Sequence, residues 1–570
     1  MARIDVNDNV LVVWPRSPKE VPRISSAVRP LHPKRGPDRD GKFALVPEDA
    51  VELADRLPPA AHEWTARALA QLDTERARRT RLDAIRLEVN AALENPAHYV
   101  GAYPLLSRLD AHQVDVLAVL AVPGVEGLGL FDEQGTGKTI SCICGFDFLR
   151  RKELVDQLLV VAPKSMVETW AVTAKRWVPE IAVTALSSAG SARRATDIAT
   201  ARDILVATYE AAARDAELLA AWARRHNRRT LLVVDESFFV KNPETLRSKA
   251  VAVVRDACTR AIVACGTPAP NSAADIVNQI QITDRGQTFG KHALNTEDRE
   301  VIAAALRERA VYLRRLKHEV LDLPGRTFTR VALDLAPRQT ALYARLRDEL
   351  LVELRNTNDE VFLRHYASFL ARRTALLQLC SHPGAIDPSY DELPAKFSAL
   401  DALLARLMDG EGEKVVVWSF FTYSLNHVFA RYQRYCPVRI DGSVKAVDRS
   451  RAIEAFQNDP KVRLFVGNPA AAGAGITLTA ARYAIYESLS NQAAHYLQSL
   501  DRIHRRGQDR EVEYFVLLGN ATVEIAEYER LLRKERRASE LLGDDVVPVV
   551  TRQQFIADLA APSALAMPST

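Results

Sequence analysis

The chain has 570 residues, with 76 Lys and Arg against 72 Asp and Glu and 48% hydrophobic residues. At roughly 100–200 residues per domain that length predicts two to four domains, while 26% charged residues, 24 Gly and 28 Pro exclude collagen-like repeats and wholesale disorder. A net charge of +4 is close to neutral for this size, so any nucleic acid must be held by a local groove.

Six Cys stand at 142, 144, 258, 265, 380 and 436 without a CxxC pair, which argues against a zinc ribbon or a disulfide framework and for buried free thiols. The opening MARIDVNDNV lacks the apolar core of a secretory signal, and no apolar run reaches the length of a membrane span. The expectation is a cytoplasmic protein with no membrane contact.

In chain order, residues 1–95 read as an accessory unit. It has a short strand at 10–14, a Pro- and Arg-rich stretch at 15–37 and an apolar patch at 43–47. Helical patterns follow near 48–57 and from 60 to about 93. The second carries Arg76, Arg78, Arg79, Arg81 and Arg86, a solvated face or a DNA contact.

Residues 96–322 alternate short apolar runs with helical stretches. Strands are predicted at 129–131, 158–162, 204–208, 231–234 and 261–264. Continuous apolar runs between helices predict a parallel sheet buried on both faces. Residues 336–380 read as a helical insertion, with Leu342, Leu346, Leu350 and Leu354 at four-residue spacing. A second α/β rhythm follows, with strands at 415–418, 438–440, 464–466, 484–486 and 514–517. The fold class is therefore α/β, two tandem doubly wound lobes with a helical insertion and a small N-terminal α+β unit. The second lobe spans 323–543, and a C-terminal tail runs over 544–570.

The strongest local signal is Asp132-Glu-Gln-Gly-Thr-Gly-Lys-Thr139, between a strand and a helix, as a phosphate loop requires. Backbone N–H groups of Gly135, Thr136 and Gly137 would cradle phosphate. Lys138 would neutralise it, and the Thr139 hydroxyl would hold Mg²⁺. The first Gly of the usual pattern is replaced by Asp132. Strand 231–234 runs into Asp235 and Glu236, placing one carboxylate for Mg²⁺ and one to orient the attacking water. In Gln498-Ser-Leu-Asp-Arg-Ile-His-Arg-Arg-Gly-Gln508, a helix would put Gln498, Arg502 and Arg505 on one face, with Gly507 ending it. Arginines so presented stabilise a transferring phosphoryl group.

These blocks resemble the Snf-type branch of superfamily-two helicase-like ATPases, from about Leu109 to Glu527. Val161-Ala-Pro-Lys-Ser165 with Trp170, Asp235-Glu-Ser-Phe-Phe-Val-Lys-Asn242, and Gly266-Thr-Pro268 with Asn271 are similar to its first-lobe motifs. Tyr312-Leu-Arg-Arg-Leu-Lys317 with Leu323-Pro324 resembles its link between lobes. Cys380-Ser-His-Pro383, Asp441-Gly-Ser443, Gly473-Ala-Gly475 and Asp501–Gln508 resemble second-lobe motifs. The resemblance implies ATP and Mg²⁺, with Gln113 on adenine and Gly475 at the nucleotide. It places duplex DNA across both lobes, over Lys164, Ser165, Thr267, Asn271 and Thr477.

Ser237, Thr477 and Glu487 look most like the annealing-helicase branch, and residues 21–58 resemble its HARP module. Two departures stand out. Phe238 replaces a His that couples ATP to DNA, and Leu489-Ser-Asn-Gln492 replaces a Trp-Asn-Pro. Residues 301–380 hold 14 Lys and Arg against 9 Asp and Glu, a candidate DNA brace.

The expected function is an ATP-dependent translocase on double-stranded or branched DNA without base specificity, a monomer, with a protein partner engaged through residues 1–95. A strand-separating helicase or RNA-dependent ATPase is one alternative. An ATP-gated DNA-binding scaffold is the other.

Overall fold

The computed structural model describes residues 2–7, 10–29, 31, 36–38, 40–186, 190–266, 268, 273–290, 299–471, 476–489, 493–540 and 552–560. Three sheets organise them. The first joins β1 (Ala2–Asn7), β2 (Val10–Pro15), β3 (Phe43–Leu45) and β4 (Glu63–Trp64) in the order β3-β2-β1-β4. Alternate residues such as Ile4, Leu11, Val13 and Phe43 point inward and close a small core with Leu53 and Leu72.

The long helix Ala66–Glu94 leaves this unit, its N-terminus capped by the Thr65 hydroxyl, which accepts from the Ala68 N–H at 3.2 Å. Ala68 and Leu72 lie in the accessory core, whereas Val89 and Ala92 lie in the core of the next lobe. Three of its arginines make contacts inside the protein, Arg78 and Arg79 part-buried and Arg81 exposed. Arg78 pairs with Glu75 at 2.7 Å and donates to the Gln287 carbonyl; Arg81 donates to the Gln287 side chain at 2.8 Å. Arg79 and Arg309 both bind Glu52. These contacts strap the N-terminal unit onto the first lobe.

That lobe is a seven-stranded, all-parallel sheet. In chain order its strands are β5 (Gly127–Leu130), β6 (Gln157–Ala162), β7 (Val183–Ala185), β8 (Ile204–Thr208), β9 (Thr230–Asp235), β10 (Arg260–Ala264) and β11 (Tyr312–Leu313). They are ordered β11-β5-β10-β9-β6-β8-β7. β6 and β9 are buried along their whole length, between apolar layers on both faces.

The second lobe is a six-stranded parallel sheet of β12 (Arg326–Leu333), β13 (Val415–Trp418), β14 (Val438–Ile440), β15 (Leu464–Gly467), β16 (Tyr483–Tyr486) and β17 (Val512–Gly519). Its order is β12-β17-β16-β13-β15-β14. β12, unforeseen from sequence, is an edge strand of half-exposed alternating residues, RTFTRVAL, so it carries no continuous apolar run.

Helices Pro337–Arg355 and Tyr366–Ser381 form the insertion, where Leu350 and Leu354 are buried with Phe369 and Leu376. A helix at Arg552–Ala560, inside the stretch read as a tail, seats Phe555 and Leu559 in the same cluster. The buried Arg373 lies between Glu527 at 3.2 Å and Asp558 at 2.9 Å, so part of the basic surplus is neutralised internally. Five of the cysteines are buried and Cys436 is exposed. Among the described residues, no helix is long and apolar enough to cross a membrane.

Candidate active site between the lobes

The strand order brings the carboxyl ends of β5, β9, β6 and β10 to one edge of the first sheet. After β5 the chain turns through Gly135 and Gly137, at φ +88° and +90°, before the helix Lys138–Arg151 begins. A side chain would be strained at either. At Gly137 an added Cβ would also lie 2.5 Å from Gln113 Nε2. The loop is held from within: Thr136 Oγ1 donates to the Glu133 carbonyl at 2.9 Å, and His112 Nε2 meets the Thr136 carbonyl at 2.8 Å. Lys138 Nζ donates to the carbonyls of Asp132 and Glu133 at 2.7 and 3.1 Å. Thr139 follows in the helix's first turn. Gln113 Oε1 caps its own helix, accepting from the Asp110 N–H at 3.1 Å, while its Nε2 is buried without a hydrogen-bond partner among the described residues.

β9 delivers the carboxylate pair. Asp235 accepts from the Trp170 indole at 2.7 Å and from the Glu236 N–H at 3.0 Å, and Tyr209 donates to its carbonyl at 2.6 Å. Glu236 sits at φ +50°, left-handed for a residue with a side chain, and its buried Oε2 has no partner among the described residues. Burial raises the Asp235 carboxyl above its ordinary range. Burial and the Asp235 charge push Glu236 up to about 7, against the pull of Lys138 and Arg502. Phe238 stacks on Phe239 with ring centroids 4.4 Å apart, packed against the lobe core.

The second lobe closes the site. Arg502 is 6% exposed, pushed down to about 10 by burial and by Arg505, with Glu236 and Asp501 opposing. Arg505 Nη1 donates to the Ile476 carbonyl at 3.0 Å, and its Cβ lies 3.8 Å from where a side chain on Gly135 would begin. The arginines and the phosphate loop, more than 360 residues apart, therefore face one cleft.

The expected helix over 498–505 stops short, because helix Ala493–Leu500 ends before both arginines. The carbonyls that follow take other partners, and the Leu500 carbonyl keeps only a long helical bond, from the His504 N–H at 3.5 Å. The Leu500 carbonyl accepts from the Tyr514 hydroxyl at 2.6 Å, that of Arg502 from the Leu478 N–H at 2.8 Å, and that of His504 from Lys317 at 3.0 Å. Gln498, Arg502 and Arg505 thus do not share a helical face, and Gly507, at φ +95°, belongs to a later turn.

Three residues of the link that the sequence marked only as a connector build the site's wall. Arg314 donates to the Gly266 carbonyl at 2.9 Å, Arg315 lies 3.3 Å from both Asp132 and Asp115, and Lys317 pairs with Asp501 across the lobes. Arg506 meets Asp110 at 2.7 Å, and His504 meets the Pro324 carbonyl at 2.8 Å. The cluster of cations in Arg314-Arg-Leu-Lys317 was the available signal. Of the expected DNA contacts, Lys164 and Ser165 are exposed just beyond β6, and Thr477 is half-buried beside Leu478. Thr267, Asn271 and Gly475 lie outside the described residues.

Residues 87–385 match the family described as SNF2-related domain, and residues 395–507 match the Helicase conserved C-terminal domain. The chain is 26% identical to the human protein named DNA annealing helicase and endonuclease ZRANB3, over 72% of this chain and 38% of that one. It is 28% identical to the Saccharomyces cerevisiae protein named ISWI chromatin-remodeling complex ATPase ISW1, over 78% and 41%. A solved structure titled Sulfolobus solfataricus SWI2/SNF2 ATPase core in complex with dsDNA aligns at 22% identity and a TM-score of 0.33, covering 78% of this chain and 95% of that one. The chain spans about two fifths of the length of these two relatives. With a SNF2-related domain over more than half its residues and a helicase C-terminal domain behind it, the chain belongs to the SNF2 family of helicase-like ATPases.

Proposed function

We propose that the protein is an ATP-dependent translocase that tracks along double-stranded DNA by its phosphate backbone, without base specificity. The observation that carries this reading is the placement of Arg502 and Arg505 of one lobe against Gly135 and Glu236 of the other. The donor set fits a nucleoside triphosphate. Glycines leave the cradle open, Lys138 and two arginines supply positive charge, and the buried Gln113 Nε2 and Glu236 Oε2 have hydrogen-bonding capacity unspent among the described residues. Thr139 and Asp235 would hold Mg²⁺, which when bound neutralises phosphate charge.

Glu236 orients the attacking water and accepts its proton at Oε2, a role suited to a carboxylate held near neutrality. Lys138, Arg502 and Arg505 stabilise the negative charge of the transferring phosphoryl group. Closure through Lys317 and Asp501 excludes water, and reopening lets the lobes regrip the DNA. Lys164, Ser165, Thr267, Asn271 and Thr477 contact the backbone in this scheme. Residues 1–95 form an accessory module ahead of lobes at 96–322 and 323–543.

Phosphate release with and without duplex tests the reading. Lys138→Ala and Glu236→Gln are each expected to lower duplex-stimulated turnover by about 10²-fold or more. Arg502→Ala and Arg505→Ala should lower it with little loss of DNA affinity. Stimulation by RNA in preference to duplex DNA would overturn the proposal.

A further inference from the structure

The opposite, N-terminal edge of the first lobe's sheet carries a second cationic surface. A concavity of about 670 Å³ opens there between the starts of β9 and β10 and the turn after Asp284. Arg224, Arg228, Arg229, Arg260 and Arg285 line it, against the carboxylates of Glu126 and Asp256.

Some of these guanidinium groups are engaged inside the fold. Arg260 donates to the Leu120 carbonyl at 2.8 Å, Arg229 pairs with Asp156 at 3.0 Å, and Arg228 donates to the Arg202 carbonyl at 3.0 Å. Bonds to carbonyls leave the positive charge uncancelled. Arg285 is 3.6 Å from Glu126, and the exposed Arg224 side chain makes no hydrogen bond or ion pair with the described residues.

Beside the hollow, burial first and then the neighbouring Arg228 charge lowers Arg225, and burial first and then Arg285 pushes Arg255 down to about 10. The loop that presents Arg228 also holds His226 and Asn227 consecutively at φ +54°. Five arginines stand against two lining carboxylates, and Asp156 offsets Arg229, which leaves a surplus of two that calls for an anion from outside.

The chemistry of the lining selects the anion. No aromatic ring lines the hollow, so it offers no platform for stacked bases. Guanidinium groups suit the phosphates of a duplex backbone. The hollow lies on the sheet edge away from the phosphate loop, so one straight duplex in the proposed motor track does not also fill it. We propose that this arginine-lined hollow holds the phosphate backbone of a second duplex arm, so that branched DNA engages the first lobe at both edges. The inference rests on the DNA-tracking reading above.

The test compares the full chain with R224E and with R224A/R228Q, on a four-way DNA junction and on a linear duplex of two arms' length. Neither position belongs to the proposed catalytic site. The expected result is an approximately tenfold weaker junction affinity. The slope of log affinity against log salt should also shrink by about 1–2, near 0.9 per lost phosphate contact. Linear-duplex affinity and duplex-stimulated turnover should stay unchanged, with circular dichroism and melting matching the wild type. Unchanged junction affinity would overturn the inference, and so would an equal loss on linear duplex. Loss of polyglutamate binding in R224E with junction affinity retained would assign the hollow to an acidic protein and overturn it too. Failure of the motor reading is read separately, as absent duplex-stimulated turnover in the unaltered chain.

Discussion

Glu236 and Phe238 stand two residues apart and do opposite things with polarity. The first keeps a buried carboxylate oxygen without a partner among the described residues, and the second stacks an apolar ring on Phe239 at 4.4 Å. A ring without hydrogen-bonding atoms cannot relay a contact from the nucleotide to the Gly266 turn. Phe238→His is therefore expected to raise the ratio of DNA-stimulated to basal turnover, read by phosphate release. Near-zero turnover in both proteins would favour an ATP-gated scaffold. His382 offers a different readout. Burial first, then the His427 ring 4.4 Å away, pushes its imidazole down to about 4, and its Nδ1 accepts from the Gly384 N–H at 3.1 Å. The folded pKa is depressed, so between about 6.5 and 4 the unfolded chain binds a proton that the folded chain refuses. Stability contributed here is full above 6.5 and falls as pH drops through that window. With a half-buried ring the loss is about 1–2 kcal/mol. His382→Asn retains an acceptor for Gly384 but cannot titrate, and should flatten urea midpoints across pH 4–6.5.

At the level of elements, the link from β11 to β12 is the part that binds both lobes. Lys317 and Asp501 are 5% and 10% exposed in their side chains, so this pair is made largely out of water. Lys317→Met leaves Asp501 charged and unpaired, and is expected to cost about 3 kcal/mol in thermal unfolding. Lys317→Met with Asp501→Asn should recover part of that loss, and the pair's coupling is the difference. The helix Ala66–Glu94 makes a second joint. Arg78→Ala removes its bonds to Glu75 and Gln287 and should free the N-terminal unit to faster proteolysis, with turnover affected less than stability. These joints were hidden in the sequence for a physical reason. Arg81 and Gln287 are 206 positions apart, and nothing in a run of arginines states which distant carbonyl they will find. The end of helix Ala493–Leu500 was equally hidden, because Tyr514, Leu478 and Lys317 decide it through the carbonyls they claim.

For the molecule as a whole, both sheets were legible because their central strands are continuous apolar runs with turn residues at each end. The phosphate loop and Asp235-Glu236 were legible because each follows such a strand. The pairs that hold the cleft shut were not, such as Arg506–Asp110 at 2.7 Å, which joins residues 396 apart. That pair is exposed on the arginine side, so it weakens with salt while the buried Lys317–Asp501 pair does not. Small-angle scattering of the nucleotide-free chain should accordingly show only modest expansion between low and high salt, and a larger one in Lys317→Met. The register of β12 adds a mechanical consequence. The link enters this strand directly, and all eight of its residues run parallel to β17, from Arg326 beside Val512 to Leu333 beside Gly519. Tension passed along the link pulls β12 lengthwise, so the ladder's hydrogen bonds share the load in shear instead of unzipping singly. On the proposed translocase reading, load from an obstacle would thus strain the cleft before it tore the edge strand loose.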